Sequence, residues 1–199
     1  MNDKPTIVVV AAGQGSRFKG ALHKLDQPLA GSTVLGCTLR HAVESGLPVV
    51  LVTTAPFVAI GLEHLTRRCL VLLPPEEARR GMGNSIAAGV AESASAAGWL
   101  VLPGDMPLVR PSTLSAIAAA LAEHTVVQAQ YRGRRGHPVG FSSELYSELV
   151  ALEGDEGARR VVARYPVHGE ELDDPGVLVD VDTLDDLAQV QAKAATYNV

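Results

Sequence analysis

Residues 6–24 read TIVVVAAGQGSRFKGALHK. Ile7–Ala11 is an unbroken apolar run, the pattern of a strand buried on both faces. It passes into small residues and glycines, then into Arg17, Lys19 and Lys24. Two familiar phosphate-binding loops have this outline. In a dinucleotide fingerprint, GxGxxG, Gly13 and Gly15 fit but the third position is Phe18. A bulky side chain there obstructs the close helix–strand packing that the third glycine permits. The next strand, VVLVTT at 49–54, also lacks the acidic residue that would hold a ribose. In a Walker A loop, Gly15 and Gly20 have the right spacing, but Ala21-Leu22 replace the lysine and the metal-binding hydroxyl. What remains is a strand, then AAGQGSR, then Lys24. The small residues let backbone amides approach a ligand closely. Arg17 offers a two-pronged fork for phosphate oxygens and Lys24 a point charge. The loop reads as a triphosphate cradle. The alternative is an ordinary strand–helix turn with solvated basic residues.

Outward from this loop, apolar runs alternate with helical patterns. Strands are expected at 49–53, 69–73, 99–102, 125–131, 139–142 and 177–181. Helices are expected at 32–45, 84–97, 111–123, 143–152, 156–165 and 183–195. Ser32 or Thr33 caps the first helix, and Thr183 with Asp186 makes a capping-box-like pair at the last. The alternation predicts an α/β fold, a mostly parallel sheet with helices on both faces. No repeat, low-complexity tract or linker divides the chain, so 1–199 is read as one domain. In such sheets ligands lie beyond the carboxyl ends of the strands.

The carboxylates fall at that edge. LVLPGDMPLV (100–109) ends a strand at Pro103-Gly104 and presents Asp105; Met106-Pro107 prevents an immediate helix. A lone aspartate there suits magnesium, which takes one or two protein carboxylates plus phosphate oxygens and water. An Asx turn would also account for it. VLVDVDTLDDL (177–187) places Asp180 and Asp182 on one face if extended. Like charges so placed need a cation or donors. One of them, with Asp105, would complete a metal site, although Asp182 could instead complement a helix dipole. RRGMGNSIAAG (79–89) is a turn into a helix where Asn84 and Ser85 could meet a base, ribose or anion. RGRRGHPVG (132–140) is basic and could meet an anionic acceptor; His137 within it is weak support for a site.

These segments, AAGQGSRF…K, GMGNSIAAG, LPGDMPLV, GHPVGF, GDEGARRVV and VDVDTLDDL, occur in the order found in MobA-like nucleotidyltransferases. The chain resembles that family from about Ile7 to Leu187, and most of all its molybdenum cofactor cytidylyltransferase branch. The resemblance implies a Rossmann-like three-layer αβα fold over 1–199. It implies transfer of a nucleoside monophosphate to an acceptor phosphate with release of pyrophosphate. For this branch the acceptor is the phosphate of molybdenum-loaded molybdopterin, and the product serves molybdoenzymes of the xanthine dehydrogenase type. By the same resemblance Ala11, Ala12, Gly13, Gly15, Ser16, Arg17 and Lys24 bind the nucleotide. Asn84 and Ser85 lie near its sugar or base, and Asp105 and Asp182 bind Mg2+. Arg17, Lys24 and Asp105 carry the catalysis, and Gly136, His137 and Pro138 lie on the acceptor side. AAG rather than AGG near the start is associated with CTP over GTP. One departure stands out. The family places its lysine five or six residues after the arginine; here Lys24 is seven after Arg17, with Lys19 between, so both lysines are candidates.

Composition agrees with this class. The net charge of −5 gives no support to a nucleic-acid backbone reader. The two cysteines, Cys37 and Cys69, cannot frame a disulfide network or a zinc cluster. Without a long apolar span or leader-like start, the expectation is a cytoplasmic protein with no membrane partner. Two other readings stay open: the same chemistry with GTP or another phosphorylated acceptor, and a non-catalytic carrier of finished cofactor.

Overall fold

The fold is that of a computed structural model, and the description covers residues 4–16 and 18–197. Arg17 lies outside the described residues. In chain order the elements are β1 (Thr6–Ala11), a small hairpin of β2 (Pro28–Leu29) and β3 (Ser32–Thr33), α1 (Val34–Glu44) and β4 (Val49–Thr53). Then come α2 (Val58–His64), β5 (Leu70–Leu72), α3 (Pro75–Ala78), α4 (Met82–Glu92), β6 (Gly98–Pro103) and α5 (Pro111–Ala120). The chain continues through β7 (Val126–Tyr131), β8 (Arg134–Ser142), α6 (Tyr146–Val150), α7 (Arg159–Val162), β9 (Val167–Glu171) and α8 (Leu184–Tyr197).

Seven strands form one sheet in the order β5-β4-β1-β6-β8-β7-β9. β1 lies between β4 and β6, parallel to both, with Ile7 opposite Val49 and Leu100. β8 runs antiparallel to β6 and to β7, and β9 is parallel to β7. The sheet is therefore mostly parallel with one reversed strand. The alternation of side chains along buried strands explains its two dry faces. Ile7, Val9, Leu100 and Leu102 pack under Leu35 and Leu39 of α1 and Leu114 and Ile117 of α5. Val8, Val52, Trp99 and Val101 pack on the other face under Ile86 and Val90 of α4 and Leu149 of α6. A third cluster docks α8 on α1, joining Leu187 and Val190 to Val34 and Cys37. This is the three-layer Rossmann-like arrangement.

Helix ends follow local chemistry. Thr33 caps α1 by accepting from Gly36 N (3.0 Å). At α8, Thr183 Oγ1 accepts from Asp186 N (3.2 Å) while Asp186 Oδ2 accepts from Thr183 N (2.8 Å), a reciprocal capping pair.

Several expectations need correction. Residues 177–181 are not a strand. Pro175-Gly176 opens a tight 3-10 turn over Pro175–Leu178, fixed by Gly176 N donating to Asp174 Oδ1 (2.9 Å). The following residues lie on the loop after β6, with Val181 N donating to Asp105 O (3.0 Å). The basic segment 132–140 is mostly strand: only Arg132-Gly133 turn, and β8 begins at Arg134. α4 starts at Met82, two residues early, and stops at Glu92. The helix expected over 156–165 shrinks to α7. The hairpin β2–β3, α2 and β9 were not anticipated. No helix among the described residues is long and apolar enough to cross a membrane.

Candidate active site

A cleft of about 1190 Å³ opens at the carboxyl ends of β1 and β6. Ala11, Ala12, Gly13, Gly15 and Ser16 form one wall, and Ser85 stands beside it at the start of α4. Lys24, Asp105, Asp180 and Asp182 line the cleft with Gly136 and His137. Asn84 and Pro138 are not in its lining. Asn84 Oδ1 accepts from Gly154 N (3.2 Å), tying α4 to the loop before α7, and Pro138 is buried in β8.

The glycine-rich loop has a definite reason for its sequence. Gly15 adopts φ +59°, and a Cβ there would lie 2.6 Å from His23 Nε2. Conformation and space both demand glycine. His23 is itself held: its Nδ1 accepts from Leu25 N (3.2 Å) and its ring lies 4.7 Å from that of Phe57. Nδ1 as acceptor places the proton on the buried Nε2. Burial lowers the His23 pKa, against the Gly13 and Gln14 carbonyls, which favour the charged form.

Leu25, buried at 3 %, anchors the turn that carries Lys24. Lys24 Nζ donates to Asp105 Oδ2 at 2.5 Å and to Asp182 Oδ1 at 2.7 Å. All three side chains are mostly buried. Burial alone would lower the Lys24 pKa; the two carboxylates override it and raise the group above its ordinary value. Burial, and then Asp105 and Asp182, push the Asp180 carboxyl up. Among the described residues, three carboxylates thus share the site with the Lys24 ammonium. Asp105 is positioned by Gly104, whose N donates to Val10 O (2.9 Å) and whose carbonyl accepts from Thr38 Oγ1 (3.0 Å). Its Oδ1 is buried and unpartnered among the described residues.

This donor set fits a hard divalent cation: carboxylate oxygens, excess negative charge and a desolvated acceptor atom without a donor. Among the described residues no three candidate ligands are already gathered for a metal. Lys24 stands between Asp105 and Asp182. The spacing in the sequence had left Lys19 and Lys24 as alternatives; the cleft is lined by Lys24 and not by Lys19. The cleft is also lined by Arg134 and Arg135 of β8 and Arg159 of α7. Arg159 sits within GDEGARRVV, where nothing in the spacing set it apart from Arg160. Burial lowers the His137 pKa, with Asp105 opposing and Arg159 adding to the shift.

Comparison with known proteins gives a consistent result. The chain is 31% identical over 196 residues to the purine catabolism protein PucB of Bacillus subtilis strain 168, covering 92% of this chain and 94% of that protein. The crystal structure of Rv0371c from Mycobacterium tuberculosis H37Rv superposes with TM-score 0.81 at 29% identity, covering 95% of this chain and 98% of that one. The same protein in complex with manganese gives TM-score 0.77 at 28% identity over the same shares of the two chains. The family model described as the MobA-like NTP transferase domain matches residues 7–170. With most of its length under that model, the chain belongs to the MobA-like NTP transferase family and is a nucleotidyltransferase.

Proposed function

We propose that the protein transfers CMP from CTP to the phosphate of molybdenum-loaded molybdopterin, forming the cytosine dinucleotide cofactor and releasing pyrophosphate. The observation that carries the nucleotidyl-transfer reading is the Lys24–Asp105–Asp182 cluster beside the glycine-rich loop. An acceptor phosphate oxygen forms a new P–O bond to the α-phosphorus of CTP, and the bond from that phosphorus to the bridging oxygen of pyrophosphate breaks. The acceptor is already an anion, so no general base is required; bringing two anions together is the problem.

Amides of residues 12–16, with Arg17, hold the triphosphate. Lys24 leaves its carboxylates for the phosphates as negative charge moves onto pyrophosphate. Asp105 and Asp182 would hold Mg2+, which would supply charge neutralisation to the phosphates during transfer. Ser85 stands on the sugar or base side, and Asn84 supports it from outside the cleft by tying α4 to the loop before α7. Ala11-Ala12-Gly13 supports CTP over GTP by family resemblance. The likeness to a protein named for purine catabolism supports an acceptor destined for a xanthine dehydrogenase-type enzyme.

The test is pyrophosphate release with CTP and GTP in parallel, with and without molybdenum-loaded molybdopterin, with Mg2+ or EDTA. Release only with CTP, acceptor and Mg2+ is expected. Release with GTP alone would overturn the base assignment, and no release with tight binding of finished dinucleotide would make the chain a carrier.

A further inference from the structure

The cleft is lined by charges of both signs. Asp105, Asp180 and Asp182 interact with Lys24, and Arg134, Arg135 and Arg159 line the same cleft. Arg79 lines the cleft as well, next to α3, whereas several other arginines of this half of the molecule are engaged. Arg160 pairs with Glu156 (2.5 Å), Arg164 with Glu148 (2.8 Å) and Arg80 with Glu153 (3.6 Å), while Arg132 lies over the Tyr131 ring. Among the described residues Arg134, Arg135 and Arg159 have neither ion pair nor hydrogen bond through their side chains.

The hairpin that carries two of them makes this more telling. Glu171, at the end of β9, sits beside the β7–β8 turn. Its carboxylate accepts from the backbone N–H groups of Arg132 (2.5 Å) and Gly133 (3.1 Å). The turn is pinned through the main chain, and the nearby guanidiniums are left unpaired. On the other rim Glu156 is taken by Arg160, while Asp155 stands with it on the edge of the cleft. Guanidiniums left unpaired around a cleft, in a chain of net charge −5, suit an anion that arrives from outside; Arg134, Arg135 and Arg159 flank His137 in sequence or charge, and Arg79 does not.

We infer that Arg134, Arg135 and Arg159 form the anion subsite that holds the acceptor's phosphate and selects the acceptor by charge. This rests on the nucleotidyl-transfer reading above and assigns its second substrate to residues of β8 and α7. The triphosphate takes the glycine-rich loop and the lysine; the acceptor anion takes the arginines.

The experiment compares Arg135→Ala, Arg159→Ala and their double variant with Arg160→Ala. The last removes the same charge one residue away from a side chain already paired. A guanidinium–phosphate contact is a strong charge-assisted pair, so each single cleft variant should raise the acceptor KM ~10-fold or more. The CTP KM should move less than about twofold, since Arg17 and Lys24 on the triphosphate side are untouched. Arg135→Lys should restore only part of the loss, because an ammonium lacks the fork. An unchanged acceptor KM, a shift in the CTP KM instead, or an equal effect of Arg160→Ala would overturn the assignment.

If wild-type protein releases no pyrophosphate at all, the function reading fails separately. Molybdopterin binding, followed by pterin fluorescence without nucleotide, then decides the subsite. Loss of binding in the double variant alone supports it; equal binding by wild type and double variant, or none by wild type, refutes it.

Discussion

At the scale of single residues, Lys24 is the pivot. It neutralises two carboxylates that otherwise face each other in a poorly solvated cleft. Lys24→Met should therefore cut turnover by ~100-fold or more, as loss of a preorganised charge at the reacting phosphates does. The same change should tighten nucleotide-free Mn2+ binding by about tenfold, read by titration of the free-ion electron paramagnetic resonance signal, because an opposing ammonium is gone. Weaker Mn2+ binding would mean that Lys24 orders the carboxylates rather than competing with a cation. Asp105→Asn should abolish pyrophosphate release with the protein still folded by circular dichroism. Asp105 was legible because it follows a strand whose end marks the ligand edge; Lys24 was read with Lys19 as its alternative, and Asp182 through a strand at 177–181 that does not form. His23 was not legible. Its role depends on lying against Gly15 and Phe57, and no one-dimensional spacing reports that contact.

Among the elements, strands buried on both faces were the easiest to read: 6–11, 49–53 and 98–103 are near-continuous apolar runs. β9, VHGEE, carries polar residues on an edge and gives no such signal. The segment 177–181 misled because a short apolar run does not distinguish a strand from a packed loop. What shapes it is Asp174, 2 % exposed, which accepts from Arg110 N (2.9 Å), Thr113 Oγ1 (2.6 Å) and Gly176 N (2.9 Å). This one carboxylate caps α5 and starts the turn that delivers Asp182 to Asp105. Asp174→Ala strands three donors, two of them backbone amides, and should cost about 2–4 kcal/mol in urea unfolding. It should also lower kcat through displacement of the 177–182 segment. A stable variant with full activity would show that the turn holds without it.

Over the whole molecule, acidity should matter more than the surface suggests. His23, His41, His64 and His137 all have lowered pKa values, chiefly through burial. His41 is also fixed by its Nδ1 hydrogen bond to Val109 O (3.0 Å). For a depressed histidine the unfolded chain binds protons first, so stability is full above the unfolded value near 6.5 and falls as pH drops through and below it. Unfolding midpoints in urea should fall between pH 7.5 and pH 5.5, and His41→Gln should flatten part of that slope. A midpoint that rises on acidification would contradict this. The layered fold itself was legible from strand–helix alternation; the reversal of β8 was not, because direction within a sheet is set by connections across the sheet.

The pinned turn between β7 and β8 has a consequence for how such a protein can change over generations. Its shape depends on a carboxylate from another strand and on main-chain donors, so the exposed side chains at 134 and 135 contribute little to folding. Replacements there can be sampled almost freely while the nucleotide half stays as it is. A lineage could thus acquire a new acceptor by drift at a hairpin tip, with the stability of the core and the handling of the nucleotide left untouched.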